Sequence, residues 1–332
     1  MPPMPRMLPL LAVAATLVAA AALPASAAAR NWRSTPPLNI AHQGGEDEFP
    51  SNTMYAFKRA LRAGSNMLEL DVGVTRDNKV IVMHDTTVDG KTNGHGEVRS
   101  FTLRQIRRLD AAYWFSPRAP HYDHSRPARS YPFRGIATGK RRPPRGYSAS
   151  DFRVPTLAEV LKAFPRTPIN IEIKGRTKRE DLSEYLANAR VLARLLENSP
   201  RRDLIVVSFK QEAVDLFHRL APKIPLAPGI TGSADFLLKK VRPPRGSVVF
   251  QLPVTYDYPG LGLVTVANAQ FIDAAHKAGY AWHVWFGDRD PDAPVTWRKL
   301  VDLCVDGIMT ARPVALHRFL KANRSPAACR RR

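Results

Sequence analysis

Met67-Leu-Glu-Leu-Asp-Val72 sets two acids two residues apart in a run that is otherwise apolar. Strand side chains alternate faces, so Glu69 and Asp71 point one way while Leu68, Leu70 and Val72 point the other. Both faces of a parallel strand are normally buried and apolar. Two carboxylates on one buried face repel each other and lose hydration unless a cation lies between them. Ile169-Asn-Ile-Glu-Ile-Lys174 repeats the design, with Asn170, Glu172 and Lys174 on one face and the three isoleucines on the other. Three carboxylates with no nearby cysteine suit one hard divalent cation, Ca²⁺ or Mg²⁺.

Two histidines end strand-like runs, His42 after Leu-Asn-Ile-Ala and His84 after Val-Ile-Val-Met. Imidazole titrates near neutrality, so a pair beside a carboxylate cluster suits general base and general acid work. Which histidine takes which part is not written in the sequence.

The elements that must position these groups alternate along the chain. β-rich runs at 38–42, 67–74, 80–84, 169–174, 204–209, 248–252, 281–286 and 307–310, with a weaker one at 225–229, are separated by amphipathic stretches. Those stretches fall at 53–63, 156–164, 181–197, 211–220 and 268–278. Repeated strand and helix mean a parallel sheet with helices outside. About eight such units match a (β/α)8 TIM-type barrel in size. An open doubly wound sheet is the competing fold, but no Gly-rich dinucleotide loop follows the first strand. The five residues between Val74 and Val80 are too few for a crossover helix, which predicts a hairpin or an irregular connection there. Residues at the C-terminal ends of barrel strands stand where barrel active sites form, and both histidines qualify.

Charge and composition narrow the classes. The chain has 332 residues and a net charge of +21, with 36 arginines among its 50 basic residues. Arg presents planar donors suited to phosphate oxygens, so an anionic partner is expected. Two cysteines, Cys304 and Cys329, exclude a disulfide-dense scaffold and a Cys-rich zinc module. An apolar run from Leu8 to Leu23, then Pro24 and Ala25-Ser26-Ala27, reads as a signal peptide over 1–27. The expectation is cleavage and a secreted or extracytoplasmic protein, with an uncleaved N-terminal anchor as the alternative. That compartment permits a Cys304–Cys329 disulfide without requiring one. Residues 116–150 hold eight Arg or Lys, six Pro and one acid, Asp123; they predict one basic insertion without a core of its own, wrapping the barrel. His121 and His124 within it read as loop residues rather than metal ligands. Residues 38–320 form the barrel domain and 321–332 a basic, solvated tail.

In order along the chain, Ile40-Ala-His-Gln-Gly44, Pro50-Ser-Asn-Thr53, Glu69-Leu-Asp-Val72, Val82-Met-His-Asp85, Pro155-Thr-Leu157, Ile171-Glu-Ile-Lys174, Val284-Trp285 and Val305-Asp-Gly-Ile308 resemble the glycerophosphodiester phosphodiesterase family over about residues 38–316. The resemblance implies a TIM-type barrel that hydrolyses glycerophosphodiesters to sn-glycerol 3-phosphate and an alcohol. It also implies His42 and His84 as catalytic residues, Glu69, Asp71 and Glu172 as ligands of the divalent cation, and Lys174 as a phosphate contact. Trp285 matches a position that could line the substrate cleft, although a core aromatic is an equal reading. His283, on the same strand face, reads as a hydrogen-bonded barrel residue. In the mechanism the family implies, a glycerol hydroxyl attacks phosphorus as one histidine takes its proton. The other histidine protonates the leaving alcohol, and water opens the cyclic phosphate.

Two positions depart from the family pattern. Gln43 stands where the family has Arg and Ser51 where it has Glu, so one cation and one anion are lost together. Gln43 would then contribute a hydrogen bond to substrate, with Lys174 or an insertion arginine, Arg134 or Arg141, supplying positive charge. A phospholipase D-like hydrolase of lysophospholipids or sphingomyelin is the neighbouring enzymatic reading; an apolar rim at the barrel mouth favours it and a small polar pocket disfavours it. A non-catalytic barrel that binds anionic polymers is the reading from a different class. Nucleic acid is not expected, since no recognition motif accompanies the charge. The excess charge is expected to act as a surface field for phosphate-bearing substrates, anionic lipid or cell-wall polymers.

Overall fold

Alternating apolar strands and capped helices assemble into a TIM-type barrel. A computed structural model describes residues 32–331 except 180, 259 and 261, so the signal peptide expected at 1–27 lies outside the described residues. The strands are β1 (Leu38–Ala41), β2 (Met67–Val74), β3 (Val80–Val82), β4 (Ile169–Ile173), β5 (Leu204–Val207), β6 (Val249–Pro253), β7 (Thr255–Tyr258), β8 (Gly262–Thr265), β9 (Ala281–Trp285) and β10 (Gly307–Thr310). Seven of them are parallel neighbours in the order β5, β4, β2, β1, β10, β9, β6. The remaining gap, between β5 and β6, is crossed through Leu226, which bridges Val206 on one side and Ser247 on the other. Val206 N–H donates to Pro225 O at 3.0 Å and Val248 N–H to Leu226 O at 3.0 Å. The weak run near 225–229 is therefore the eighth stave, shortened to a bridge. β2 and β3 form the expected antiparallel hairpin.

Side-chain alternation on β2 sorts the molecule into inside and outside. Leu68, Leu70 and Val72 pack outward with Leu157, Val160, Leu192 and Phe217 of the helical layer. Met67, on the opposite face, joins Ile40, Ile205, Val249, Ala281 and Met309 in an apolar plug inside the barrel. Each fully buried aliphatic side chain contributes about 1.5–3 kcal/mol. Glu69 and Asp71 continue Met67's face above that plug. Polar caps start the helices: Thr53 accepts from Ala56 N–H ahead of Met54–Arg62, and Thr156 forms a capping box with Glu159 ahead of Leu157–Ala163. Three further helices, Ile230–Lys239, Pro294–Asp302 and Pro313–Ala322, complete the outer layer where the sequence showed no clear amphipathic stretch.

One expectation changes and another gains detail. The insertion packs on the barrel through a shared cluster: Ile136 and Ala137 are buried with Phe49, Tyr55, Ala56 and Phe152, and Phe133 and Tyr147 pack on them. The tail is not a free end, because Cys329 is buried and bonded to Cys304.

Candidate active site

β2 and β4 run in register with Asp71 opposite Glu172 and Glu69 opposite Asn170. That pairing brings three acids from two strands to one spot. Oxygen atoms of Glu69, Asp71 and Glu172 all lie within 4.8 Å of one another, and all three residues are buried. Lys174 Nζ stands 2.8 Å from Glu172 Oε1 and 3.6 Å from Asp71 Oδ1. Asn52 Nδ2 donates to Asp71 Oδ2 at 2.9 Å, while Asp71 Oδ1 is buried without a hydrogen-bond partner. A buried all-oxygen trio with an unspent lone pair fits a hard divalent cation held by Glu69, Asp71 and Glu172. Burial, reinforced by Asp71, pushes the Glu69 carboxyl well above the usual carboxylate range. Lys174 and a protonated His42 are the positive charges that face these three acids.

His42 follows β1 in a 3₁₀ turn, His42–Gly44, and its Nε2 lies 3.9 Å from Glu69 Oε2. Its Nδ1 is 2.7 Å from Glu46 Oε1. Gly44, at φ 81°, lets the turn pass the first helix, where a Cβ would come within 2.8 Å of Ala56 Cβ. His84 follows β3, and its Nδ1 is 2.8 Å from Asp85 Oδ1. Burial opposes the charged His42 ring, but Glu69, Glu46 and Asp71 outweigh it and push its pKa up to about 10. For Glu46, burial is outweighed by the His42 charge and hydrogen bond, which bring it down to about 2. Each imidazole thus has a carboxylate on Nδ1, which leaves Nε2 for a substrate.

The expected residues therefore converge. His42, His84, Glu172 and Lys174 open onto one cavity of about 390 Å³, with Glu69 and Asp71 beside them, and Trp285 lines the same cavity. Gln43 is also buried here, in the left-handed region at φ 49°, with its backbone N–H on Glu69 Oε2 at 2.7 Å. The Gln43 side chain does not line the cleft, and its Oε1 has no hydrogen-bond partner. His283 lies fully buried inside the barrel. The insertion arginines stand elsewhere. Arg134 lies against the rings of Tyr131, Tyr113 and Trp114, at 3.9, 4.3 and 4.5 Å. Arg141 donates to Pro132 O. Delocalised guanidinium on aromatic faces is a structural use of Arg. His124 stacks on Trp114 and meets Gly90 O at 3.2 Å, and His121 hydrogen-bonds Ser116 O and faces Asp47 Oδ1 at 3.4 Å, so both fasten the insertion to its surroundings.

Glu46, Asp85, Asn52, Lys91 and Tyr122 belong to the site without having been singled out from sequence for a role. The Tyr122 hydroxyl accepts from Ser51 N–H at 2.7 Å and donates to Ser51 Oγ at 3.0 Å. Lys91 Nζ sits 3.5 Å from the Tyr122 ring centroid and 4.0 Å from Glu46 Oε2. A Tyr from the insertion thus covers Ser51, and a Lys supplies a cation next to it. The signals were available for two of them, since Glu46 is four residues after His42 and Asp85 adjoins His84.

Residues 42–315 match the glycerophosphoryl diester phosphodiesterase family model. A glycerophosphodiester phosphodiesterase of Caldanaerobacter subterraneus is 48% identical over 282 residues, covering 84% of this chain and 96% of that one. One from Bacillus subtilis is 26% identical over 325 residues, covering 95% and 98%. Among solved structures, an Oleispira antarctica phosphodiesterase in complex with the product sn-glycerol-3-phosphate matches with a TM-score of 0.58 at 18% identity, covering 86% and 98%.

Proposed function

The chain belongs to the glycerophosphoryl diester phosphodiesterase family, and from that we propose a secreted, metal-dependent enzyme that hydrolyses glycerophosphodiesters to sn-glycerol 3-phosphate and an alcohol. The observation that carries the reading is the cluster of Glu69, Asp71 and Glu172 between two histidines that each have a carboxylate partner. A divalent cation bound by the three acids would supply positive charge for the phosphoryl oxygens as the reaction proceeds. The chain's own residues do the rest. Lys174 neutralises a second phosphate oxygen. One imidazole Nε2 takes the proton from the glycerol 2-hydroxyl as that oxygen attacks phosphorus. The other imidazole gives a proton to the leaving alcohol oxygen, and water then opens the cyclic phosphate. Glu46 and Asp85 hold the two rings in the tautomer this exchange requires.

Glycerophosphocholine turnover tests the reading. Choline release that stops with chelator and returns with Ca²⁺ or Mg²⁺ is expected. Full activity in Glu69→Ala, or turnover indifferent to chelation, would overturn the metal assignment. Secretion has its own test: the exported protein should begin just after the Ala25-Ser26-Ala27 stretch, and a mature chain that retains residues 1–27 would overturn it.

A further inference from the structure

We infer that Tyr122 of the insertion is the positioning residue for both halves of the catalytic centre. Its hydroxyl sets the carboxylates that would hold the cation, and its ring sets the proton-transfer pair of His42 and Glu46. The inference rests on the phosphodiesterase reading above and says how that site is held in shape.

The hydroxyl acts through the turn ahead of the first helix. It accepts from Ser51 N–H at 2.7 Å and donates to Ser51 Oγ at 3.0 Å, so one oxygen fixes main chain and side chain together. Asn52 comes next, in the left-handed region at φ 55°, which asparagine tolerates better than most residues. There its N–H reaches Gln43 O at 2.8 Å. Its side chain meets Asp71 twice: Nδ2 donates to Oδ2 at 2.9 Å, and Oδ1 accepts from the Asp71 N–H at 3.4 Å. Ser51, Asn52 and Asp71 are all buried, so a lost contact is not readily made good by water. Without the hydroxyl, the aim of Asp71 at the cation loosens two links away.

The ring acts through Lys91, whose Nζ lies 3.5 Å from the ring centroid and 4.0 Å from Glu46 Oε2. The other carboxylate oxygen, Oε1, is the one 2.7 Å from His42 Nδ1. An aromatic face stabilises an ammonium, the more so where water is scarce, and the Lys91 and Glu46 side chains are only 21% and 23% exposed. Glu46 is thereby engaged at both oxygens, which removes its freedom to turn away from the imidazole. Tyr122 is anchored in turn. Phe115 meets its ring edge-on at 5.8 Å, and the neighbouring His121 faces Asp47 Oδ1 at 3.4 Å. None of these contacts reaches the cleft's apolar end, walled by Leu237 and Leu238 of the helix Ile230–Lys239, so cutting them leaves that end as it is.

Two variants of the full enzyme separate the routes, read by calorimetric titration with Ca²⁺ or Mg²⁺ and by glycerophosphocholine kinetics. Tyr122→Phe keeps the ring and loses the hydroxyl. Its Kd for the cation should rise by about three- to tenfold, and its lost turnover should return as the cation is raised. Lys91→Met keeps the hydroxyl contacts and loses the charge. Its kcat should fall about fivefold with KM and cation Kd within about twofold, and Lys91→Arg should regain most of the loss. Tyr122→Leu should show both defects; if it fails to fold, the other two variants still decide. An unchanged cation Kd in Tyr122→Phe, or an unchanged kcat in Lys91→Met, would overturn the inference and leave the phosphodiesterase reading standing. A lower melting temperature without either defect would mark the two residues as merely structural and overturn it as well. Wild-type protein that neither binds the cation nor turns over glycerophosphocholine would overturn the phosphodiesterase reading, and this inference with it.

Discussion

Glu46 Oε1 stands 2.7 Å from His42 Nδ1, four residues along the chain and across a 3₁₀ turn. The same relationship recurs where Asp85 Oδ1 meets His84 Nδ1 at 2.8 Å. A carboxylate on Nδ1 fixes ring orientation and tautomer and stabilises the imidazolium that forms during proton transfer. The chain thus builds two histidine–carboxylate pairs around one acidic cluster, although the two carboxylates enter from different loops.

Glu46→Gln should keep the hydrogen-bonding shape and lose the charge. We expect kcat for glycerophosphocholine to fall by about 10- to 100-fold, with KM within about twofold. Steady-state kinetics decides it: a rise in KM at unchanged kcat would mean that Glu46 serves substrate binding instead.

Metal removal should be visible in stability as well as in activity. A cation that binds only the folded chain adds about 2.7 kcal/mol at a hundredfold excess over its Kd. Thermal melts with and without Ca²⁺ or Mg²⁺ should show that gain in the wild type. Asp71→Asn should abolish it, and an unchanged gain in that variant would remove Asp71 from the ligand set.

Alkaline pH should weaken the chelated protein. Burial alone would lower the His42 pKa from 6.5, but Glu69 and Glu46 outweigh it and set it near 10. Glu69 is also raised, by burial and then by Asp71. Both groups hold their protons more tightly when folded, so the stability they add is complete below their unfolded values and disappears as pH rises through the folded ones. For His42 the window runs from about pH 6.5 to about 10. Melting temperature in chelator should fall across it and fall less in His42→Gln. A melting temperature that climbs across the window would contradict the assignment.

Asp306 ties the end of the barrel together. Its carboxylate accepts from Trp282 N–H at 2.8 Å and Ser34 N–H at 3.1 Å, and lies 2.7 Å from His276 Nε2. Asp306→Ala leaves two buried groups and the half-buried Ser34 N–H without their acceptor and should cost about 3–5 kcal/mol. Urea unfolding measures this, and a loss below about 1 kcal/mol would show that water replaces the carboxylate.

Much of this was legible because strand alternation is strict. The spacing in Met67–Val74 was enough to place Glu69 and Asp71 on one face, that in Ile169–Ile173 to set Glu172 on the face of Asn170, and the short link to Val80 to predict the hairpin; the register of β2 and β4 is what joins the two faces. The spacing of Glu46 four residues after His42 was a signal, but the backbone that makes them meet was not, because Gln43 takes a left-handed conformation that glutamine does not announce. Lys91 and Tyr122 were hidden because they reach the site from distant loops, which periodicity does not encode. The Ile230–Lys239 helix begins Ile-Thr-Gly-Ser, poor helix formers held by tertiary packing. Arg134 was misjudged by charge alone; the three rings around it decide its use.

The barrel has a soft seam. Between β5 and β6 the sheet is continued by one bridged residue, Leu226, and four backbone hydrogen bonds through 225–227, whereas β2 and β4 on the catalytic side share five paired positions. The backbone amides of Leu226 and Ala227 should therefore exchange with solvent well before those of Ile169–Ile173. The Ile230–Lys239 wall of the cleft hangs directly from that seam. Breathing there would change the width of the apolar end while the acids on the tightly laced strands keep their spacing. Were those amides to exchange first, one barrel would combine a fixed catalytic centre with an adjustable entrance.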